Sequence, residues 1–303
     1  MAFEPIFNPF PTRPTPQALR HPTGAFLHLL RDNFSITTWL LFGALLQGLF
    51  CLLLPYPNIA LILPALTYLL FKLLHYLLIT THILPDPIAK TVIPGRSVPV
   101  FPNPKTGLQD EAGGQGVTAI LLASRANTFR GLFAPGFKEV GDYFSSFLAK
   151  MNSDPTRYGY LGSNTWMSAN GDQSTGSETM GLIYFESEEK LYEFAHGPSH
   201  TEATRWFMRN GGKDFTHIGL MHEVFAAKRQ GWEGVYFNYK PTGIGATTKE
   251  VEGKGWVSPL VKGNGKLRHS KGRMGRDFAE DEWADYNRMD GEDEKAKGGM
   301  GKE

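Results

Sequence analysis

The feature that most constrains this chain is a long apolar run with no charged residue, followed closely by a second run. The first, residues 36–54, reads ITTWLLFGALLQGLFCLLL. At 1.5 Å per residue, about 19 helical residues just span the ~30 Å hydrocarbon layer of a bilayer. A Pro-Tyr-Pro-Asn turn at residues 55–58 leads into the second run, residues 59–79. The pattern predicts a transmembrane helical hairpin over residues 36–79.

Lys72, inside the second run, keeps two alternatives open, because a charge deep in a bilayer is costly. One is a helical hairpin buried in a soluble protein, and the other is a second run that only dips into the membrane. The charges around the hairpin predict its orientation. Arginines at 13, 20 and 31 precede it, basic residues at 90, 96 and 105 follow it, and the turn is uncharged. The positive-inside rule therefore places both termini and the globular domain in the cytosol, with the endoplasmic reticulum as one candidate membrane.

Composition divides the rest of the 303-residue chain. Residues 1–35 form a proline-rich segment with a short interfacial helix, and its sequon at Asn33 faces the predicted cytosol and should be unused. Residues 80–115 are predicted to be a linker along the membrane, 116–246 a globular domain, and 247–303 a largely disordered charged tail. The net charge of +1 argues against a nucleic-acid partner. The single cysteine, Cys51, excludes an intramolecular disulfide.

Within residues 116–246 the hydrophobic periodicity gives the order strand, helix, strand, strand, helix, strand. The strands are predicted at 116–123, 160–168, 178–185 and 216–226, with a further edge strand at 234–239. A helix is predicted from 137 to 151, a short one after Ser187, and another that starts with a capping box at Ser199 and stops at Gly211. This order is that of an α+β, ferredoxin-like domain. One face of its sheet is left bare, which favours a homodimer. The alternative is a monomer whose own tail, or the membrane, covers that face.

A set of ordered residues resembles a known family over about residues 117–246. The set includes residues 124–127, 135–138, 140–141, 160–162, 166, 196–200, 206, 219, 222–223, 236, 238, 241, 243 and 245. It is similar to the antibiotic-biosynthesis-monooxygenase-like family that includes the membrane-bound monooxygenase of fungal fumagillin biosynthesis. The resemblance implies a dimeric α/β-barrel fold and oxygenation of a secondary metabolite.

Cofactor motifs are missing from the sequence. Gly243-Ile244-Gly245-Ala246 has no strand-to-helix unit around it, and no phosphate-cradling glycine loop occurs. This fits the scheme that the resemblance implies, in which a base deprotonates a phenol or enol and the anion reacts directly with molecular oxygen. We expect no cofactor and no metal. Haem is the alternative, since related dimeric barrels hold haem against a histidine.

Four residues are candidates for the site. His222 is the first candidate base, because its unperturbed pKa lies near neutrality. Glu223 adjoins it in sequence, but alternation along a strand points the two side chains to opposite faces. Trp166 and Asn164 share a face of their strand and could orient a planar substrate. Each has a structural alternative, a hydrogen-bonded core histidine for His222 and ordinary core packing for Trp166.

Other histidines are weaker candidates. His217 is more readily explained as structural. His196 and His200 have the spacing of a metal pair, but Gly197-Pro198 prevents the helical turn that would align them.

The hairpin predicts a membrane anchor, and the resemblance implies that the anchored domain is a monooxygenase-like enzyme of fungal secondary metabolism. Its substrate would be an apolar polyketide or terpenoid, with molecular oxygen and membrane lipid as its other partners. A haem-dependent dehydratase or peroxidase is one alternative, and a non-catalytic membrane scaffold or binding protein is the other.

Overall fold

The computed structural model describes residues 2–15, 22–168 and 178–277. In these ranges the α-helices are α1 Pro22–Asp32, α2 Ile36–Leu53, α3 Pro57–Thr80, α4 Phe137–Ser153, α5 Pro155–Tyr158, α6 Glu188–Ala195, α7 Pro198–Asp214 and α8 Ser270–Arg273. The strands are β1 Ile93–Pro99, β2 Val117–Ala126, β3 Tyr160–Met167, β4 Thr179–Phe185, β5 Ile218–Ala227, β6 Tyr236–Tyr239, β7 Lys249–Val251, β8 Gly255–Val257 and β9 Leu260–Lys262.

Helices α2 and α3 form the predicted hairpin. Helix α2 begins where the Ser35 hydroxyl accepts a hydrogen bond from the Thr38 amide at 3.2 Å. In the turn, Tyr56 adopts a left-handed conformation with φ of 66°, and Pro57 starts α3, where its missing N–H needs no partner. Midway along the pair, Gln47 Nε2 donates to the carbonyl of Leu61 at 2.9 Å. Such a polar link stabilises two helices where no water competes for the bond.

Both hairpin helices are long and apolar enough to cross a membrane, judged by length and composition. Their apolar side chains point outward around each helix, and the most apolar window of each has no buried residue. This exposure contradicts the alternative of a hairpin buried in a soluble core. The Lys72 ammonium lies 5.6 Å from the centroid of the Tyr68 ring, a cation–π contact that reduces the cost of its charge.

Strands β2 to β5 confirm the ferredoxin-like arrangement. They form a four-stranded antiparallel sheet in the order β3-β4-β2-β5, with helix α4 inserted after β2 and helices α6 and α7 after β4. The helices cover one face of the sheet. The core between the two layers is formed by Leu148, Met151, Tyr158, Tyr160, Ile183, Phe185, Leu191 and Phe194. The three-and-four spacing of apolar residues in α4 places Leu148 and Met151 toward this core.

A second sheet corrects two predicted segments. Strand β1, inside the predicted linker, pairs with β6 on one side and with β9 on the other, and β7 pairs with β8. Residues 249–273, inside the predicted disordered tail, are therefore ordered. Val98, Val100, Val261 and Leu267 form a separate buried cluster that holds these elements together. The prediction was wrong here because three-residue strands and a strand with two prolines give almost no periodic signal. Residues 278–303 of the predicted tail lie outside the described residues.

The N-terminal segment is extended, as predicted, and it also packs against the domain. Residues 5 and 10 form β-bridges to Val261 and Trp256. The Arg13 guanidinium lies between two rings, 4.7 Å from the centroid of Tyr160 and 4.9 Å from that of Trp256. It donates to the carbonyls of Tyr160 at 2.8 Å and Leu161 at 2.9 Å, and its burial lowers the pKa to about 10. Arg13 therefore joins the segment before the hairpin to the start of β3.

Two boundaries differ from the prediction for physical reasons. Helix α7 begins at Pro198 with Gly197 as its cap, rather than at Ser199, because proline is favoured in a first helical turn. It runs past the two glycines that were expected to stop it and ends at Asp214. Strand β6, expected at the edge of the main sheet, joins β1 in the second sheet instead.

Candidate functional site

The site is built on the helix-covered face of the sheet, near its free edge at β5. The strand register places Thr165, Gly181, Leu122 and His222 in one row across the four strands. Gly181 is required in this row, since a Cβ there would lie 2.8 Å from Cζ of Phe144 in helix α4. The missing side chain lets the Phe144 ring lie directly against the sheet. About two strand spacings further along the row, roughly 10 Å, is His222.

Aromatic side chains from α4 and α7 surround this end of the row. The ring centroids of Tyr143 and Trp206 are 5.3 Å apart, and those of Phe147 and His200 are 5.5 Å apart. These four side chains are only half-buried, whereas Leu148, the residue after Phe147 in α4, is fully buried. On the strand, Leu220 and His222 are exposed although they face the helices. Half-buried rings of α4 and α7 and exposed residues of β5 thus share this face of the sheet, and we call this region the His222 cleft.

Two histidines share the cleft. Burial lowers the pKa of His200, and the neighbouring imidazoles of His222 and His196 lower it further, while a hydrogen bond with the backbone of Ala195 opposes the change. At neutral pH the His200 ring is thus held in its neutral form, which can accept a hydrogen bond or a proton. His222 sits at the solvent side of the same cleft, where a substrate could reach it.

The other three candidate residues lie on the opposite face of the sheet. Asn164, Leu182, Leu121 and Glu223 form one row there, and Trp166, Met180, Ala123 and Met221 form the next. Asn164 and Trp166 share a face, as the alternation predicted. Glu223 lies at the far end of its row, about 14 Å from Asn164 across three strand spacings. The structure therefore separates His222 from Trp166, Asn164 and Glu223, and the four residues do not form one site.

One end of this opposite face is covered by the chain itself. Phe101, Trp232 and Ile244 pack over Leu161 and Tyr184. Burial raises the pKa of Tyr184, whose hydroxyl bonds to the backbone of Ile244. The rows that contain Glu223 and Trp166 stay partly exposed, and we call them the open face. The alternative that the chain covers its own second face thus holds for one end of the sheet only.

The remaining histidines of the sequence analysis have structural roles. His217 Nε2 and the carbonyl oxygen of Pro135 are 2.8 Å apart, so this ring connects β5 to the loop before α4. His196 Nδ1 lies 2.9 Å from the carbonyl oxygen of Tyr192, within its own helix. In the part of the chain that the structure describes, no three His, Cys, Asp or Glu side chains converge to hold a metal ion.

Sequence reasoning missed Gly181, Phe144 and Trp206 as parts of the cleft. A glycine inside an apolar strand is a usable signal, because it often marks the close approach of another group. The spacing of apolar residues in α4 predicts an amphipathic helix and says nothing of a cleft. Periodicity gives the face of a helix, and the degree of burial on that face depends on how the helices pack.

The globular domain is similar in sequence to a monooxygenase family. Residues 117–244 match the sequence model of the Monooxygenase af470-like family, and this stretch contains the whole four-stranded sheet and its helices. The match confirms the resemblance read from the sequence. Monooxygenase af470 of Aspergillus fumigatus is 28% identical over 272 residues, which cover 87% of this chain and 96% of that protein.

Solved structures give weaker likenesses. An aldoxime dehydratase in complex with butyraldoxime is 16% identical, with a TM-score of 0.37, over 52% of this chain and 40% of that one. SnoaB, a cofactor-independent oxygenase from Streptomyces nogalater, is 10% identical, with a TM-score of 0.24, over 37% of this chain and 92% of that one. At these scores the likenesses carry no argument, and the fold rests on the strand order described above.

Proposed function

We propose that this chain is a membrane-anchored monooxygenase that oxygenates an apolar, planar substrate bound in the His222 cleft. The observation that carries the proposal is the exposed His222 near the half-buried His200, whose ring packs against Phe147. Aromatic side chains suit a planar apolar ring, and a histidine can remove its proton near neutral pH. The match to the Monooxygenase af470-like family model supports the reaction class.

The proposed chemistry balances without an external reductant. His222 removes the proton of a phenol or enol, and the resulting anion delivers electrons to molecular oxygen. Overall, a methylene carbon and dioxygen give a carbonyl carbon and water, so one oxygen atom enters the product and the other is reduced to water. The four electrons come from the substrate carbon. The His222 proton returns to solvent or to the departing water. No cofactor takes part in this scheme.

The hairpin supports a membrane location for the proposed enzyme. Two helices with lipid-compatible surfaces would hold the domain at a membrane, where an apolar polyketide or terpenoid accumulates. Basic residues on both sides of the hairpin favour cytosolic termini and a cytosolic domain. The partly exposed open face supports a homodimer in which two sheets pack face to face.

The test uses the detergent-solubilised full chain. It is incubated with a panel of planar phenols and enols under isotopically labelled dioxygen, and products are analysed by mass spectrometry. One labelled oxygen per product molecule, with no added reductant, is the expected result. A Soret band in the absorption spectrum of the purified protein would support the haem-dependent alternative instead. Absence of turnover across the panel, with ligands binding stoichiometrically, would favour a binding protein.

A further inference from the structure

A second apolar surface lies beside the hairpin, on the loop between β2 and α4. In this loop, residues 127–134, Phe129 is 84% exposed and Phe133 is 63% exposed. Arg130, between them, is exposed as well. Leaving two large apolar rings in water on one short loop is unfavourable. The loop therefore needs an apolar partner.

The loop is attached to the start of the hairpin. The side chain of Asn33, three residues before α2, is 2% exposed, and its Oδ1 accepts a hydrogen bond from the amide of Leu132 at 2.8 Å. Gly131 adopts φ of 54°, and Asn33 Oδ1 occupies the space that a Cβ would need. The contact also explains why the predicted sequon is unsuitable for a glycan, since the Asn33 amide is buried.

Aromatic rings continue the contact into the hairpin. The ring of Phe34 lies 6.3 Å from that of Phe133 and 5.7 Å from that of Trp39, in the first turn of α2. Trp39 Nε1 donates to the carbonyl of Arg31 at 2.8 Å. A tryptophan with a polar contact at the end of an apolar helix is typical of the membrane–water interface. The loop is thus held at the depth of the hairpin's entry into the bilayer.

We propose that the 127–134 loop is a second membrane contact, with Phe129 and Phe133 inserted into the lipid interface next to α2. Arg130 then lies at the level of the phosphate groups. This inference rests on the proposed membrane anchor. It fixes the tilt of the domain: β2 leaves the membrane at residue 126 and runs roughly 30 Å to residue 117, so the β3 end with Arg13 points away from the lipid.

The experiment measures lipid contact in the full chain. Cys51 is replaced by serine, and single cysteines are introduced at Phe129, at Leu45 in the middle of α2, and at Glu188, the exposed first residue of α6 just beyond β4. Each variant carries an environment-sensitive fluorophore and is reconstituted into phosphatidylcholine vesicles. Lipids with a nitroxide at a shallow or a deep acyl position quench the label according to its depth.

We expect strong quenching at Leu45 by the deep nitroxide, quenching at Phe129 by the shallow nitroxide, and none at Glu188. A Phe129 label that behaves like the Glu188 label, while Leu45 is quenched, would overturn the loop contact and leave the anchor intact. An unquenched Leu45 label would overturn the anchor itself, and with it this inference. Replacing Phe133 with Ser should weaken shallow quenching at position 129 severalfold, because one of the two inserted rings is lost.

Discussion

The two faces of the four-stranded sheet are both partly apolar and partly exposed, yet they differ in what surrounds them. On the helix side, His222 and His200 lie among aromatic rings that belong to the same chain. On the open face, Leu121, Leu182 and Met221 have neighbours from this chain at one end of the sheet only. A cleft with its own walls suits a small ligand, whereas a flat apolar face suits another protein surface.

Because the two faces of the sheet differ, we expect residues that are adjacent in sequence to have different roles. His222 and Glu223 are neighbours in sequence, but the pleat of β5 sends one into the cleft and the other onto the open face. Trp166 and Asn164 fall on the Glu223 side. Substitutions that affect turnover and substitutions that affect assembly should therefore separate by face, and each prediction below tests that separation.

The largest expected effect comes from His222→Gln. If His222 is the base, turnover per folded molecule should fall about a hundredfold or more, since glutamine keeps a hydrogen bond but cannot take up a proton. The matched control is Glu223→Gln on the opposite face, which should stay within about threefold of wild type. Turnover is normalised to the folded fraction measured by circular dichroism. Equal losses in both variants would show that the faces are not separate in function.

The oligomeric state, unlike turnover, should change with substitutions on the open-face side of the sheet. Phe225, in the next row on the same side of the sheet, is 55% exposed. If the proposed homodimer forms on this side, Phe225→Asp should convert it to a monomer, because a charge would be buried at the interface without a partner. Met208→Asp on α7, at a residue 68% exposed, is the control and should leave the mass unchanged. The mass of the detergent-solubilised protein is read by sedimentation. A wild-type monomer would remove the open face from assembly altogether.

The sequence predicted most of the sheet because its strands and helices have strong periodicity. The bounds of β2, α4, β3, β4 and β5 lie within a few residues of the predicted ones. It did not predict the second sheet or the separate β7–β8 pair, since β1 contains two prolines and β7, β8 and β9 are three residues each. Their stability depends on long-range contacts such as the buried Val98 and Val261, which local patterns do not record.

The candidate site was predictable in part for the same reason. Alternation along β5 correctly placed His222 and Glu223 on opposite faces. It did not say which face lines a cleft, because that depends on how closely α7 packs against β5. The half-buried rings of Phe147 and Trp206 could be recognised only from the packing.

A smaller effect is expected from a substitution of Gly181, on the sheet beneath Phe144. Gly181→Ala would place a methyl group 2.8 Å from the Phe144 ring, so the ring must move and narrow the cleft. We expect a loss of about 1–3 kcal/mol in the free energy of unfolding, with a raised KM. Gly141→Ala is the matched control on the exposed side of α4, where a Cβ meets nothing within 4 Å. It should stabilise the protein by about 0.5–1 kcal/mol.

The smallest effect is a dependence of stability on pH that originates on the helix side alone. The pKa of His200 lies below its ordinary value of 6.5, first because of burial. As pH falls through 6.5, the unfolded chain binds this proton while the folded chain does not, so acidification favours unfolding until pH reaches the lowered folded pKa.

His200→Phe keeps a ring beside Phe147 and removes this titration. In thermal unfolding scans, the melting temperature of the variant should decline less than that of wild type between neutral pH and the acid side of 6.5. At pH 8 the ring is neutral in both states, so the variant's offset from wild type there measures packing alone. A parallel decline in the two proteins would mean that His200 is as accessible to protons as a solvent-exposed histidine, and the cleft would then be too open to shield a substrate anion from water.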